Sequence, residues 1–362
     1  MDAGRGSDYA PGTGVLRLKT SKPGELPRYR VLVIGGTLFI GKALVAELVK
    51  AGHEVTVLHR HAKHNLGKRI GNLQADRNDP ESLKAALAGR MFDVVYDNAY
   101  DWQHGTTAAQ IEATAKLVSG RLQRYVFMSS VAAYGDGLNH HEGDALAPDD
   151  HADNYVRNKA MSERILFRMH QRNGFPIVTL RPPFLYGPCN PYYREAFFWD
   201  RLRAGRHIIL PGDGRRLMQF VHVHDVVNAC VRVIETPETI GHAFNVANPR
   251  PLTQVEAVDA FAKAAGKEPQ FVRIPRERVI RAGGHPMGPK LYFGFYFDMP
   301  AITMVINKAQ RMLKFKPVDF ATGLKDTYRW YTRAKAYPEP DYRFEDALIA
   351  AAPPAAFSAP DL

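Results

Sequence analysis

The chain has 362 residues, of which 45% are hydrophobic and 23% are charged, and its formal net charge is +11. The composition is typical of a globular protein with a large core, and no apolar run approaches the length of a membrane span, which excludes a membrane-spanning protein. The positive charge favours anionic ligands, but it is spread along the chain without a long run of like charges, so nucleic acid is the less favoured ligand.

Residues 1–28 are punctuated by Gly and Pro and lack the apolar segment of a signal peptide, so we interpret them as a flexible extension. The two cysteines, Cys189 and Cys230, have neither metal nor redox spacing and are typical of free thiols in a reducing compartment. We therefore expect a cytoplasmic protein.

Strands and helices alternate from residue 29 onwards. The strand "RVLVIG" is followed by the helix "KALVAELVKAG" and the strand "EVTVLHR". Then come the weak strand "GNLQAD", the helix "DPESLKAAL", the strand "FDVVYDNAY", the helix "TAAQIEATAKLVSGR" and the strand "RYVFMSSVAAYG". A long helix, "YVRNKAMSERILFRMHQRNG", leads to the strand "PIVTLRPPFLYGP". This alternation predicts an α/β fold of the Rossmann type, with a doubly wound parallel sheet and helices on both faces.

The pattern loosens after Gly187 and predicts a smaller, discontinuous C-terminal lobe that binds the substrate. We predict a dinucleotide-binding Rossmann domain over residues 29–187, to which residues 217–247 return. The substrate-binding lobe then comprises residues 188–216 and 248–331. Residues 332–362 end in the low-complexity stretch "AAPPAAFSAPDL", and we expect this tail to be partly disordered.

The stretch "VLVIGGTLFIGKALVAEL" fits two phosphate-binding templates, each with one departure. Counted from Gly36 it is a nucleoside-triphosphate loop, but Ala43 stands where a hydroxyl must hold Mg²⁺. Counted from Gly35 it is a dinucleotide-binding turn, with Leu38 in place of the middle glycine. We favour the dinucleotide turn, whose helix N-terminus faces a pyrophosphate, over a purely structural turn. The cofactor contacts expected here are Gly35, Thr37, Leu38, Phe39, Ile40 and Gly41.

The second strand ends in the basic stretch "LHRHAK", where an NAD site usually has an acidic residue. His59 and Arg60 there would accept the 2′-phosphate of NADP, so NADP is favoured over NAD, with a solvated loop as the alternative. Asp76 ends the third strand and is placed to accept a hydrogen bond from the adenine amino group. The remaining expected cofactor contacts are Arg77, Asn98, Ala99 and Pro182.

The stretch "YVRNK" places Tyr155 and Lys159 one turn apart on a predicted helix, so both side chains project from the same face. An ammonium beside a phenol stabilises the phenolate and lowers the pKa of the tyrosine, which makes Tyr155 a general base. Ser130 lies 25 residues earlier, where "MSSVAAYG" leaves a strand, and can hydrogen-bond the same substrate oxygen. We predict that these three residues are catalytic.

Seven stretches of the chain resemble those of a known family: "GGTLFIG", "SSVAAYG", "YVRNK", "LRPPFLYGP", "FVHVHDVV", "AFNVAN" and "KAQRMLKFKP". From about residue 30 to residue 331 the chain resembles an extended short-chain dehydrogenase/reductase of the NAD-dependent epimerase/dehydratase family. Within it, "GGTLFIG", "MQFVHVHDV" and "YRFEDALIA" are most similar to the atypical branch that includes the chloroplast stem-loop-binding proteins.

The resemblance implies a mechanism and an assembly. Tyr155 takes a proton from a sugar hydroxyl while hydride passes to the nicotinamide. Lys159 binds the nicotinamide ribose, and Ser130 is the third member of the catalytic set. The keto sugar then rotates or is modified, and hydride returns. The RNA-binding relatives are expected to lack the Tyr/Lys pair, so its presence here indicates an enzyme. The resemblance also implies a homodimer.

Three departures from the family pattern concern the substrate. Val131 and Ala132 stand where 4,6-dehydratases carry an Asp-Glu pair, which disfavours dehydration. Phe184 takes the place of an Asn, and Met218 that of an Arg that binds the diphosphate; the turn "GDGRR" offers a replacement arginine. The substrate contacts that we expect are Tyr100, Trp102, Val131, Phe184, Arg194 and Arg216.

These observations predict an NAD(P)-dependent epimerase that acts on a nucleotide sugar or a related polyol in the crevice between the lobes. Two alternatives remain open: a reductase or dehydrogenase of the same fold that consumes NADP(H), and an RNA-binding protein that uses the fold as a scaffold. We expect no metal site, because the cluster "HVHD" at residues 222–225 fits a strand-to-helix junction capped by Asp225.

Overall fold

The centre of the molecule is a parallel sheet. The computed structural model describes residues 27–334 and 336–357, so residues 1–26 of the predicted extension lie outside the described residues. Within these ranges the strands are β1 Arg30–Ile34, β2 Glu54–His59, β3 Gly71–Gln74, β4 Val94–Asp97, β5 Arg124–Met128, β6 Gly137–His140, β7 Ile177–Arg181, β8 Phe184–Tyr186, β9 His207–Pro211, β10 Leu217–Met218, β11 Phe220–His222, β12 His242–Asn245, β13 Leu252–Thr253, β14 Gln270–Ile274 and β15 Ile302–Met304. In this part of the chain seven of them form one sheet in the order β12-β7-β5-β4-β1-β2-β3, with every neighbouring pair parallel.

Helices cover both faces of this sheet. The helices of the described ranges are α1 Phe39–Lys50, α2 Pro80–Leu87, α3 Ala108–Val118, α4 Asn154–Asn173, α5 Glu195–Arg203, α6 Val223–Glu235, α7 Gln254–Ala265, α8 Arg276–Arg281, α9 Asn307–Met312, α10 Phe320–Ala334 and α11 Arg343–Ala350. One face packs against α1 and α6, and the other packs against α2, α3 and α4. Because both faces are covered, Val31, Leu32 and Val33 of β1 are all fully buried, as expected for a parallel strand. The predicted doubly wound α/β fold is confirmed.

The strand order reverses at β1, which has β2 on one side and β4 on the other. In open parallel sheets the crevice that binds ligands lies at such a reversal, outside the carboxyl ends of the strands. The segments that follow β1, β4 and β5 therefore meet at one edge of the sheet. These segments contain the glycine turn, residues 98–107 and Ser130.

A second hydrophobic core lies beside the sheet and corresponds to the predicted smaller lobe. It is built mainly from α5, α7, α10 and the parallel pair β9–β14. Its largest members are aromatic and almost completely buried: Phe198, Trp199, Phe220, Phe261 and Phe297. The boundaries that we predicted between the two lobes stay a prediction.

The tail is folded as far as it is described. Glu345 of α11 forms a buried bidentate ion pair with Arg201, in which Arg201 Nε donates to Oε1 at 2.7 Å. Leu348 and Ala356 are buried against the second core. Residues 336–357 are therefore attached to the second core by an ion pair and by apolar side chains. The partial disorder predicted for residues 332–362 stays a prediction, and residues 358–362 lie outside the described residues. No helix in the described ranges combines the length and hydrophobicity needed to cross a membrane.

Candidate active site

The glycine turn holds α1 directly against the sheet. Gly35 has a φ of +79°, and its N–H donates to Leu58 O at 3.1 Å. A Cβ on Gly41 would overlap the carbonyl oxygen of Gly35, and a Cβ on Gly35 would lie 3.0 Å from the backbone nitrogen of Ala99. Both positions therefore require glycine, and this close approach is the one that a dinucleotide turn needs.

Leu38 and Phe39 show how the turn forms without its middle glycine. Leu38 is extended at φ −129° and is the N-cap of α1, and its side chain makes no capping hydrogen bond and is 70% exposed. Phe39 adopts a φ of +40°, which is uncommon for a bulky residue, and its side chain is buried. Thr37 and Ile40 lie on either side of this pair. The first turn of α1 thus has no side chain competing for its free N–H groups.

The structure fits a dinucleotide at this edge. Asn98 follows β4, and both polar atoms of its side chain are buried without a hydrogen-bond partner among the described residues. Buried polar groups are normally satisfied, so the amide of Asn98 is available to bond a ligand at this edge of the sheet. Asn98 and the uncapped α1 lie at the strand reversal, next to Ala99. These residues would hold the cofactor.

Two residues predicted to contact the cofactor have protein partners instead. His59 is buried and its Nε2 lies 2.7 Å from Asn72 Oδ1, and burial lowers the pKa of its imidazole. Arg77 donates from Nη2 to Asp97 Oδ1 at 2.7 Å and from Nη1 to Ala99 O at 3.3 Å. Both side chains therefore already have protein partners, and their contacts with the cofactor stay a prediction.

The other two residues of this region remain at the surface of the crevice. Arg60 is exposed, and its Nη1 lies 3.7 Å from Asp101 Oδ2. Asp76 is half-buried and accepts the N–H of Asn78 at 2.9 Å, which leaves its second carboxylate oxygen available.

The structure brings Ser130 and Tyr155 together. Tyr155 lies in the first turn of α4, where Asp153 caps the helix by accepting from the N–H groups of Tyr155 and Val156 at 2.8 and 3.1 Å. Ser130 follows β5 and accepts from Ala132 N at 3.1 Å, and its hydroxyl lies close enough to the phenol of Tyr155 to affect the pKa of that phenol. Two elements distant in sequence thus place both hydroxyls at the same edge of the sheet.

Lys159 lies one turn further along α4 and is only 5% exposed. Its Nζ donates to Met128 O at 2.6 Å and lies 5.8 Å from the ring centre of Tyr155. Burial lowers the pKa of this amine to about 8, while the carboxylate of Asp97 opposes the shift. Near neutral pH the group therefore carries a positive charge inside the site.

The predicted lowering of the pKa of Tyr155 is wrong for the protein alone. Burial raises the pKa of this phenol, and the nearby hydroxyl of Ser130 opposes the rise. The neighbouring phenols of Tyr192, Tyr100 and Tyr296 also disfavour a phenolate. The ammonium of Lys159 does not reverse this rise: its Nζ lies 5.8 Å from the ring centre of Tyr155 and donates to Met128 O.

Aromatic rings enclose Tyr155. Trp102 stacks on it, with ring centres 4.9 Å apart, and Tyr100 contacts it edge-on at 4.8 Å. Tyr192 and Tyr296 flank Trp102, with ring centres at 6.0 and 6.1 Å. The sequence predicted Tyr100 and Trp102 as pocket residues but gave no role to the other two, because they come from the second lobe and follow no motif.

The remaining predicted substrate residues divide into two groups. Arg194 lies beside the aromatic rings, with its Cζ 4.7 Å from the ring centre of Tyr192 and 5.4 Å from that of Phe184. Arg216 instead donates from Nη1 to Asp298 O at 2.6 Å and to Oδ1 at 3.2 Å. The proposal that Arg216 replaces the missing diphosphate arginine is therefore not supported, because this guanidinium is already paired.

Val131 and Pro182 form the floor behind Ser130. The N–H of Val131 donates to Pro182 O at 3.0 Å, and the Val131 side chain packs against the core of the sheet. Neither residue brings an ionisable group to the site.

The "HVHD" segment is a strand-to-helix junction, but its cap differs from the predicted one. His222 is the N-cap of α6, and its side chain accepts from His224 N. Asp225 instead accepts from Val318 N at 3.0 Å. In the described part of the chain no group of three or more His, Cys, Asp or Glu side chains is arranged to hold a metal ion.

Comparisons with known proteins agree with this geometry. Residues 31–247 match the model of the NAD dependent epimerase/dehydratase family. The chain is 32% identical over 340 residues to the chloroplast stem-loop binding protein of 41 kDa b of Arabidopsis thaliana, an alignment that covers 88% of this chain and 84% of that protein. It is 26% identical over 339 residues to a dTDP-4-dehydro-6-deoxy-D-allose reductase of Streptomyces bikiniensis, covering 83% of this chain and 95% of the relative.

Among solved structures, the UDP-glucose 4-epimerase of Thermus thermophilus in complex with NAD matches with a TM-score of 0.64. The two sequences are 25% identical, and the match covers 84% of this chain and 99% of that one. The family match spans more than half of the chain and includes the glycine turn and all three predicted catalytic residues. The chain therefore belongs to the NAD-dependent epimerase/dehydratase family.

Proposed function

We propose that this protein is an NAD(P)-dependent epimerase that acts on a nucleotide sugar or a related polyol. The observation that carries the proposal is the placement of Ser130 and Tyr155 next to each other with the buried ammonium of Lys159, at the sheet edge that also carries the glycine turn. Two of the similar proteins are named for dTDP- and UDP-sugars, which supports a nucleotide sugar as the substrate.

In the proposed reaction Tyr155 first loses its own phenolic proton to solvent. The phenolate oxygen then accepts the proton of a sugar hydroxyl, and Ser130 holds the same substrate oxygen by a hydrogen bond. When bound, the nicotinamide cofactor supplies the hydride acceptor. Because burial raises the pKa of Tyr155, the phenol is protonated in the free protein. The Nζ of Lys159 is 5.8 Å from the ring centre of Tyr155. Its positive charge favours ionisation of this phenol to the phenolate.

Epimerisation is favoured over dehydration because of the residues that follow Ser130. Val131 and Ala132 offer no carboxyl group that could expel water from a sugar. A net reductase or dehydrogenase remains the second candidate, and the named activity of the Streptomyces relative favours it. The two differ in one measurement: a reductase changes the nicotinamide absorbance stoichiometrically with turnover, whereas an epimerase holds its cofactor and leaves the absorbance unchanged.

We propose NADP as the preferred cofactor. Arg60 is exposed at the end of β2, where the 2′-hydroxyl or 2′-phosphate of the adenosine ribose would lie. The residues that end this strand, "LHRHAK", include no acidic side chain that would repel a phosphate. His59 no longer supports this proposal, since it faces the protein.

The test is to identify what the purified protein carries. Mass spectrometry of the small molecules released on denaturation is expected to find NADP or NAD and a nucleotide sugar. If the protein, supplied with both dinucleotides, binds neither in calorimetry, the enzymatic proposal is wrong.

Replacing Tyr155 by Phe tests the mechanism on the identified substrate. We expect kcat to fall by about 100- to 10,000-fold, the usual contribution of a positioned general base. The affinity for the dinucleotide should stay close to wild type. Tyr29→Phe, which removes a phenol at the opposite edge of the sheet, is the matched control and should keep full activity.

An RNA-binding protein is the alternative that one observation favours, since the Arabidopsis relative is named for binding a stem-loop. In that case a stem-loop RNA would bind with an affinity that falls steeply with salt, and Tyr155→Phe would bind it as wild type does. The Ser130–Tyr155–Lys159 arrangement opposes this alternative, because RNA binding does not need a general base.

We further propose a homodimer, as the family resemblance implies. Light scattering of the purified chain is expected to give twice the mass of one chain.

A further inference from the structure

Arg194 is a buried cation without an acidic partner. The side chain is 8% exposed, and it donates from Nε to Phe295 O and from Nη1 to Leu185 O, both at 3.2 Å. It forms no ion pair with a carboxylate in the described part of the chain. Burying a guanidinium is costly unless it is paired. Other buried arginines follow that rule: Arg77 pairs with Asp97, Arg181 with Glu163 and Arg201 with Glu345.

Two other charged residues, Arg124 and Glu195, must be considered before Arg194 is called unpaired. Arg124 also lacks a carboxylate partner, but it begins β5 and so lies at the edge of the sheet opposite the active site. Glu195 follows Arg194 in the chain, and its Oε2 accepts from Asn190 Nδ2 at 3.1 Å rather than from a guanidinium. Burial raises the pKa of this carboxyl to about 7, so a large share of it is neutral at physiological pH.

The guanidinium of Arg194 lies next to the aromatic rings that surround Tyr155. Its Cζ lies 4.7 Å from the ring centre of Tyr192 and 5.8 Å from that of Tyr296, and both rings contact Trp102. Trp102 in turn stacks on Tyr155. The charges of Arg194 and Tyr155 are close enough to influence each other. The cation is therefore connected to the catalytic phenol through two successive aromatic rings, Tyr192 or Tyr296 and then Trp102.

None of the other residues that we considered for binding the substrate diphosphate offers an unpaired cation beside Tyr155. Met218 has no charge, and Arg216 is paired with Asp298. Arg215 is exposed at the turn that precedes β10. Arg194 is thus the arginine that the structure leaves to bind an anion beside Tyr155.

We propose that Arg194 binds the phosphate group carried by the sugar substrate, while the rings of Trp102, Tyr192 and Tyr296 pack against the sugar. This inference rests on the proposed function. It assigns the diphosphate-binding role to α5 instead of the β10 position that Met218 occupies. The phosphate belongs either to a nucleoside diphosphate or to a sugar phosphate, which share the same oxyanion chemistry.

The test measures binding of phosphate-bearing probes to the full chain saturated with NADP, so that the glycine turn is occupied. UDP, dTDP, glucose 1-phosphate and the phosphate-free nucleoside uridine are titrated by calorimetry. We expect Arg194→Met to lower the affinity for a phosphate-bearing probe by about 10- to 100-fold, the usual effect of losing a charge-assisted hydrogen bond. The affinity for uridine should not change. Arg215→Met is the matched control and should bind as wild type does.

The outcome also identifies the source of the phosphate. A loss confined to UDP and dTDP supports a nucleoside diphosphate, and a loss confined to glucose 1-phosphate supports a sugar phosphate. If Arg194→Met keeps wild-type affinity for every probe, or no probe binds wild type, the inference is overturned. If Arg194→Met does not fold, Arg194→Lys decides, because an ammonium cannot keep both carbonyl bonds and the phosphate; unchanged affinity then overturns the inference.

Failure of this inference is distinguishable from failure of the proposed function. The proposed function fails when no dinucleotide binds, and this is measured before any probe is added. The inference fails when the dinucleotide binds and the probes do not depend on Arg194.

Discussion

The charge of Lys159 is kept inside the protein by a few named groups. Its Nζ is bound by the carbonyl of Met128, and the nearest acidic side chains, Asp97 and Glu163, are engaged elsewhere. Asp97 accepts from Arg77 and from Tyr125 Oη, the latter at 2.6 Å, and Glu163 is paired with Arg181. The ammonium is therefore only partly compensated, which suits a group that must stabilise a phenolate.

Lys159 makes the stability of the protein depend on pH. The pKa of its amine is about 8 in the folded protein, below the ordinary value of 10.5. Between these values the unfolded chain binds more protons than the folded one, so stability rises with pH across this window. The full shift corresponds to about 3 kcal/mol.

We expect the free energy of unfolding of wild type, compared with Lys159→Met, to increase as the pH is raised through that window. Urea unfolding of both proteins at a series of pH values measures it. Taking the difference removes the titration of the tyrosines, which both proteins share. A difference that stays constant with pH would contradict the burial argument.

At the scale of elements, the β1–α1 connection combines stability with cofactor binding. The helix approaches the turn so closely that Gly41 faces the carbonyl of Gly35 without room for a methyl group. We expect Gly41→Ala to move α1 away from β1 and to destabilise the protein by about 1 to 3 kcal/mol, the usual cost of overpacking. Dinucleotide affinity should fall in the same variant.

Gly120→Ala is the control for that substitution, since a Cβ there meets no atom within 4 Å. Chemical unfolding and dinucleotide titration of both variants make the comparison. If Gly41→Ala is as stable as wild type, α1 can move away from β1 without a loss of stability, and the prediction is wrong.

Helix α11 is attached by a buried charge pair rather than by a long apolar face. Breaking such a pair leaves one charge unpaired, so we expect Glu345→Gln to cost about 3 to 5 kcal/mol. The exposed pair Arg343–Asp341 provides the control, and Asp341→Asn should cost less than about 1 kcal/mol. Thermal unfolding of both variants measures the contrast, and equal effects would mean that the tail contributes little to the fold.

At the scale of the whole molecule, the site lies where the sheet edge and the second lobe meet. Trp102 comes from the segment after β4, whereas Tyr192, Arg194 and Tyr296 belong to the second lobe. A substrate held by both parts would bridge them. The cofactor, in contrast, is expected to contact mainly the sheet edge.

Cofactor preference should therefore be visible in overall stability. A ligand that binds only the folded state at 100 times its Kd stabilises by about 2.7 kcal/mol. We expect NADP to raise the melting temperature more than NAD at equal concentration, because the exposed guanidinium of Arg60 can exchange its 3.7 Å contact with Asp101 for the 2′-phosphate. Arg60→Ala should remove the difference, and a larger shift with NAD would contradict the proposed preference.

The sequence by itself determined the parallel sheet, the glycine turn and the family. These features depend on local information: continuous apolar runs, glycines at fixed spacing, and a Tyr and a Lys one helical turn apart. A strand buried on both faces needs no knowledge of its partners to be recognised. The Tyr–Lys spacing also placed both side chains on one face of α4.

Only the tertiary structure decided which arginines are paired with a carboxylate and whether the pKa of Tyr155 is raised or lowered. Arg216 pairs with Asp298, 82 residues away, and Arg77 pairs with Asp97, 20 residues away, so neither contact can be read from a motif. The same packing left Arg194 without a carboxylate and buried Tyr155 among other phenols. Desolvation and pairing depend on groups brought together across the fold, and for this reason neither could be predicted from the sequence.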